Sequence, residues 1–117
     1  MSVMNETRRV GDFVLSEANG HLSRDAITVS GTNVPGTVLG KITATGKHVA
    51  LAPGASDGSQ TAAGVLYGFS TGTDDSGVAI KRAAEVRADM LVWPAGISDA
   101  NKTAALSALA GSLVVAR

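Results

Sequence analysis

Short runs of alternating apolar and polar residues, separated by turns, dominate the chain from residue 34 onward. Such runs predict β-strands, because successive side chains of a strand point to opposite faces. The turn signals are Pro35-Gly36, Thr45-Gly46 and Pro53-Gly54. Between these turns and two polar loops, the pattern predicts strands at 37–43, 47–52 and 62–69.

The segment from residue 78 to residue 92 has two interpretations. Val78-Ala79-Ile80 continues the strand pattern, and residues 85–92 alternate roughly until Trp93-Pro94 ends the run. The composition of residues 81–85 also suits a helix over 80–90. We favour strands here.

Local signals support one helix, at residues 99–110. Ser98 is a favourable N-cap residue, Asp99 complements the helix dipole, and Gly111 stands where a C′ glycine belongs. A short strand at 112–116 is expected to follow. The predicted fold class is therefore mainly β with one short C-terminal α-helix (α+β).

Residues 1–33 differ from the rest of the chain in their charge content and in the pattern of their apolar residues. Seven of them are charged, and their apolar residues come in short patches without a sustained period. We interpret residues 1–33 as an extended N-terminal arm and residues 34–117 as a compact β-rich domain. The segments 12–16 and 26–30 are strand-capable, and on this interpretation they have no sheet of their own.

Composition and charge exclude several classes of function. The 117 residues carry ten basic and ten acidic side chains, so the chain lacks the excess of positive charge that is typical of proteins that bind nucleic acid. No apolar run is long enough to cross a membrane or to form a signal-peptide core, so we expect a soluble protein that is not exported. Of 52 hydrophobic residues 19 are Ala, which predicts a thin core and favours association with a partner.

Catalytic and metal-binding motifs are also missing from the sequence. There is no Cys, no Gly-x-Ser-x-Gly elbow and no phosphate-binding loop, and the two histidines, His21 and His48, lack a ligand spacing. We expect both histidines to be surface or hydrogen-bonded structural residues, and Asp74-Asp75 to lie in a polar loop. The expectation is a protein that is not an enzyme and needs no cofactor or metal.

An ordered series of segments nevertheless points to one family. The segments are 36–43 (GTVLGKIT), 55–66 (ASDGSQTAAGVL), 89–94 (DMLVWP), Ser98-Asp99 before the helix, and 16–25 (SEANGHLSRD). Together they resemble the lambda-type bacteriophage head decoration proteins over nearly the whole chain. The region 20–30 is extra relative to the shorter members, so contacts of the arm cannot be transferred residue by residue.

The resemblance implies a β-clip-like domain that cements a phage capsid. Members of this family bind as trimers to the outside of the expanded head, at three-fold and quasi-three-fold sites, and stabilise it against the pressure of packaged DNA. The implied partners are the major capsid protein and two further copies of the chain, with no nucleic acid and no membrane. The implied location is the outer surface of the virion, after synthesis in the host cytoplasm.

Physical reasoning adds a mechanism for the arm. An extended segment can add a strand to a sheet edge of the capsid protein, where main-chain hydrogen bonds give affinity and alternate side chains give register. Three arms on one trimer would then bind with avidity. The candidate capsid-binding residues are Arg8, Arg9, Val10, Phe13, Val14, Leu15, Ile27 and Val29.

Two sets of alternatives remain open at this point. Phe13-Val14-Leu15 is also compatible with an ordinary core strand, and Met90, Trp93 and Pro94 are compatible with either a trimer interface or the domain core. For the whole protein, the alternative function is a small β-rich module of a virion that binds the host surface. A hydrolase is a third hypothesis, and it requires a cleft with a perturbed His or carboxylate.

Overall fold

The computed structural model describes residues 11–18 and 22–117. Along these residues the elements are β1 (Val14–Glu17), β2 (Arg24–Val29), β3 (Val38–Lys41), β4 (His48–Ala50), β5 (Ala62–Leu66), β6 (Asp75–Ile80), β7 (Ala84–Val86), a 3-10 helix (Ala88–Met90), α1 (Asp99–Gly111) and β8 (Val114–Ala116). The described chain is mainly β with a C-terminal helix, which confirms the predicted fold class.

Five strands close into a barrel in the order β2-β4-β3-β5-β6. Neighbouring strands are antiparallel except β2 and β4, which are parallel. The remaining strands form a second sheet in the order β1-β7-β8, with β1 antiparallel and β8 parallel to β7. Both β1 and β8 are therefore edge strands of this smaller sheet.

Strand alternation supplies two separate hydrophobic clusters. The smaller cluster, inside the barrel, consists of Val29, Leu39, Leu66 and Ala79. The larger cluster joins the outside of the barrel to the smaller sheet and to α1. Three strands contribute adjacent residues to opposite clusters, as alternation requires: Val38 and Leu39, Val65 and Leu66, and Ala79 and Ile80.

The local signals around α1 are mostly reproduced. The Ser98 hydroxyl accepts a hydrogen bond from the Asn101 N–H at 3.2 Å, which confirms the predicted N-cap. Gly111 does not act as a C′ glycine, because it is the last residue of the helix. The left-handed residue is instead Leu113, with φ of 63°.

The segment between β6 and α1 differs from both sequence-based interpretations. The predicted strand at 85–92 stops at Val86, and a 3-10 helix follows. The alternative helix over 80–90 does not form. Ala83 has φ of 55°, a conformation incompatible with a continuous right-handed helix, and it marks the corner between β6 and β7.

The N-terminal region differs from the sequence-based division of the chain. In its described part, residues 11–18 and 22–33 are built into the fold. All six residues of β2 pair with β6, and Val29 is fully buried in the barrel cluster. Phe13 is fully buried in the larger cluster. Burial of these large apolar side chains is the physical reason that this segment joins the domain instead of extending from it.

The burial of Phe13 makes a testable prediction about stability. Phe13→Ala should lower the free energy of unfolding by about 3–5 kcal/mol, because it leaves a cavity in the larger cluster. The nearby Leu15 is 50% exposed, so Leu15→Ala should change that free energy by less than about 0.5 kcal/mol. Urea unfolding followed by circular dichroism measures both variants. Equal, small losses would contradict a core position for Phe13.

Candidate interaction surfaces

The first candidate surface is the edge strand β1, which contains two of the predicted capsid-binding residues, Val14 and Leu15, and directly follows a third, Phe13. Phe13 is buried and Val14 packs against the larger cluster, whereas Leu15 projects into solvent with 50% exposure. The register of β1 against β7 shifts between Val14 and Ser16, as in a β-bulge, and Leu15 lies at this shift. Arg8, Arg9 and Val10 lie outside the described residues.

A polar cluster holds β1 against the barrel. The Arg24 guanidinium lies over the Tyr67 ring, 4.0 Å from its centroid, and its Nε donates to the Glu17 carboxylate at 3.1 Å. Its Nη2 donates to the other oxygen of Glu17, and the Ser23 hydroxyl donates to the same carboxylate. The hydrogen bond with Glu17 raises the pKa of Arg24 above its ordinary value. This bidentate, stacked arrangement ties the end of β1 to the start of β2.

Gly11 adds a second attachment to Tyr67. Its N–H donates to the Tyr67 carbonyl at 3.0 Å, and its φ is 73°. A Cβ atom at this position would lie 2.6 Å from Cε2 of the Tyr67 ring. The position therefore requires glycine both for its conformation and for its close approach to the ring.

The two candidates on β2 are not available as free anchors in this structure. Val29 is fully buried inside the barrel, and Ile27 is partly buried against the same cluster. Their side chains share one face of β2, as the alternation predicts. The structure does not bring them together with Leu15.

The second candidate surface is a groove beside the single tryptophan. Trp93 and Pro94 form part of its wall, and its volume is about 230 Å³. The other lining residues are Thr32, Asn33, Val34, Thr37, Val38, Ala50 and Val92. Met90 and Trp93 are partly buried and pack against the larger cluster, so both contribute to the domain core. Trp93 and Pro94 also border an open groove, and Met90 is not part of its lining.

A third surface was not predicted from the sequence. The outward face of β2 and β6 carries the residue pairs Ala26 with Val78 and Thr28 with Ser76, all of them exposed. The backbone N–H of Tyr67 donates to the Val78 carbonyl at 2.9 Å and extends the row. We call these four residues and Tyr67 the uncharged sheet face. These five residues carry no charge, and the charged Arg24 and Asp25 border them in a pocket shared with Ala26, Tyr67 and Val78. The sequence predicts strand-forming runs at 26–30 and 78–80, but it predicts neither their pairing nor the strand position of Ser76.

Of the acidic pair Asp74-Asp75, Asp74 lies in the expected polar loop, whereas Asp75 is the first residue of β6. Asp74 forms an ion pair with Lys47 at 2.9 Å, and this hydrogen bond lowers the pKa of its carboxyl group. Asp75 accepts hydrogen bonds from the N–H groups of Thr71 and Gly72, which lower its pKa. These contacts stabilise the charged forms of both carboxylates and hold the loop before β6.

Of the two alternatives for His48, a surface residue or a hydrogen-bonded structural residue, the structure fits the second, because His48 is buried and contacts Lys81. It is 4% exposed, and its Nε2 atom lies 2.9 Å from the Lys81 ammonium. Its pKa is lowered to about 4 by burial first and then by the charges of Lys81 and Lys41. Among residues 11–18 and 22–117, no group of three His, Asp or Glu side chains is placed to hold a metal ion.

In the same described residues, no helix combines the length and the apolar character that crossing a membrane requires.

Comparisons with known proteins identify the family. A family model described as bacteriophage lambda head decoration protein D matches residues 3–114. A search of curated proteins finds no match. The family match covers nearly all of the 117 residues, including every strand of the barrel and all of α1. The chain therefore belongs to the bacteriophage lambda head decoration protein D family.

Proposed function

We propose that this protein cements the outer surface of an expanded phage head by binding the major capsid protein as a homotrimer. The observation that carries the proposal is the family match across residues 3–114. The proposed trimers occupy three-fold and quasi-three-fold sites and stabilise the shell against the pressure of packaged DNA. A role in adhesion requires no catalytic group. Two titratable groups described above have structural partners: His48 contacts Lys81, and Asp74 is paired with Lys47.

The composition of the protein supports an assembly of several copies. Its net charge is zero, so three copies can approach each other without strong mutual repulsion. Once one copy of a trimer is bound to the shell, the others bind at a high effective concentration. Each contact can therefore be weak while the whole trimer stays attached.

The capsid contact that we propose includes the edge of β1. An edge strand has backbone N–H and C=O groups directed away from its sheet, and these can pair with an extended segment of another protein. Leu15 is the exposed apolar side chain on this strand, and the Glu17–Arg24–Tyr67 cluster holds the strand in place. The proposal extends this contact to Arg8, Arg9 and Val10, which precede β1 in the sequence.

The direct test of the function uses expanded heads that lack a decoration protein. Purified protein should co-sediment with these heads at a fixed number of copies per shell, and it should raise the temperature at which packaged DNA is released. Unexpanded shells are the control, and they should bind fewer copies. Heads that bind no protein in either state would contradict the proposed function.

The β1 contact predicts a specific effect at Leu15. Leu15→Asp should weaken binding to expanded heads by at least about tenfold, because it places a charge in an apolar contact. Leu113→Asp is the matched control, since Leu113 is 67% exposed and directly precedes β8, the edge strand opposite β1. Titration of heads with each variant measures the effect, and both variants should unfold like the parent protein. Equal binding by both would remove β1 from the contact.

A trimer interface at the Trp93 groove predicts a change in fluorescence on dissociation. Trp93 is the single tryptophan, so the tryptophan emission comes from this one side chain, which borders the groove and packs against the core. Dilution that converts trimers into monomers should shift the emission to longer wavelength, because the ring becomes more hydrated. Analytical ultracentrifugation at the same concentrations gives the oligomeric state. An unchanged emission during dissociation would assign Trp93 to the domain core alone.

A further inference from the structure

The smallest join of the barrel lies between β2 and β4. Strand β2 pairs with β6 through six residues, but it meets β4 through the single pair Val29 and His48. One further hydrogen bond, from the Ser30 N–H to the His48 carbonyl at 2.9 Å, belongs to the same join. We call this join the β2–β4 seam. His48 provides the β4 side of both contacts.

The side chain of His48 is fixed beside the same seam. Its Nε2 atom is 2.9 Å from Nζ of Lys81, which follows the last residue of β6. A charged lysine has only hydrogen atoms to donate, so Nε2 accepts and the ring carries its proton on Nδ1. Nδ1 is buried without a hydrogen-bond partner among the described residues. The ring is therefore held in its neutral form by one contact.

Close packing keeps Lys81 in position. The aliphatic part of its side chain lies over Gly64 on β5, where an added Cβ atom would be 2.9 Å from Cδ of Lys81. Burial lowers the pKa of Lys81, and its hydrogen-bonded partner is a neutral ring. The Lys81 ammonium thus lies between β5 and β4 and connects β6 to the seam.

The charged groups around His48 oppose its protonation. Lys41 on β3 is its register partner, and Lys81 contacts it from the end of β6. Asp25 on β2 is the acidic group that favours the protonated ring, but the Arg82 guanidinium already binds this carboxylate at 2.6 Å. Protonated His48 would therefore face two ammonium groups, with one carboxylate that is already paired.

We propose that the His48–Lys81 pair is a proton-operated latch on the β2–β4 seam. Protonation of Nε2 breaks the contact with Lys81, and repulsion between the two cations opens the barrel between β2 and β4. Strand β2 stays attached through its six pairs with β6. The opening is therefore local, and it exposes the barrel cluster around Val29 and Leu39.

The direction of the pH dependence follows from the protonation of the two states. The closed barrel holds the pKa of His48 at about 4, whereas an opened barrel returns it toward the ordinary 6.5. Between these values the open state binds more protons, so opening becomes more favourable as the pH falls. From pH 7 to pH 5 the opening equilibrium should increase by roughly 20-fold.

Hydrogen exchange of the full chain, followed by NMR, tests the proposal. The protection factor of the Ser30 amide should fall by roughly 20-fold from pH 7 to pH 5. Protection factors are compared because they correct for the intrinsic pH dependence of exchange. At both pH values the Ser30 amide should be less protected than the amides of the β2–β6 ladder and of α1, because the seam opens without them. Equal protection at Ser30 and at those amides would mean that all of them exchange through one global opening, and it would overturn the latch.

Two variants separate His48 from other causes. His48→Gln keeps a hydrogen-bond acceptor for Lys81 and does not titrate, so the loss of protection at Ser30 should disappear. His21→Gln alters the other histidine and should leave that loss unchanged. If His48→Gln does not fold, titration of the His48 ring protons in the parent protein replaces it. A ring that titrates near pH 6.5 with a fully protected Ser30 amide would overturn the proposal.

Discussion

The structure depends on the burial of both faces of the central strands. On β3, β5 and β6, neighbouring residues point alternately into the barrel and into the cluster beneath α1. Where these strands are buried, both of their faces therefore pack against other parts of the protein. The space available for side chains on them is correspondingly small. A Cβ atom at Gly40 would collide with the backbone of Ser59, and one at Gly77 would lie 3.1 Å from Val29. The abundance of Ala and Gly, which suggests a thin core in the sequence, is in the structure a condition for packing two cores close together.

The features that could be predicted from the sequence are those fixed by neighbouring residues. The Ser98 cap, the turns at glycine and proline, and most strand positions depend on a few adjacent side chains. The closure of the barrel depends on β2 and β6, whose paired residues are about 50 positions apart. A run such as Ala26–Val29 shows only that it can form a strand. Its partner, and so its place inside or outside the domain, is a property of the whole fold.

Among the candidate interaction residues too, some features follow from neighbouring residues and others depend on the whole fold. Phe13, Val14 and Leu15 are three consecutive apolar residues, and the sequence cannot assign their directions because a register shift interrupts the alternation. The structure buries the first, partly buries the second and exposes the third. Trp93 gave an open choice between core and interface, and it contacts the core while bordering a groove. The uncharged sheet face requires the β2–β6 register, which no local pattern contains.

The position of β1 changes the energetics of the proposed capsid contact. A disordered arm loses about 1–2 kcal/mol of conformational free energy for each residue that it orders on binding. Residues 13–17 are instead already ordered, by the buried Phe13 and by the Glu17–Arg24–Tyr67 cluster. On the proposed function, the capsid would meet a strand edge whose ordering cost was met during folding, so fewer contacts are needed for the same affinity. Loss of the Arg24 anchor would then weaken capsid binding without removing any residue that touches the capsid, because it would return that cost to the binding step.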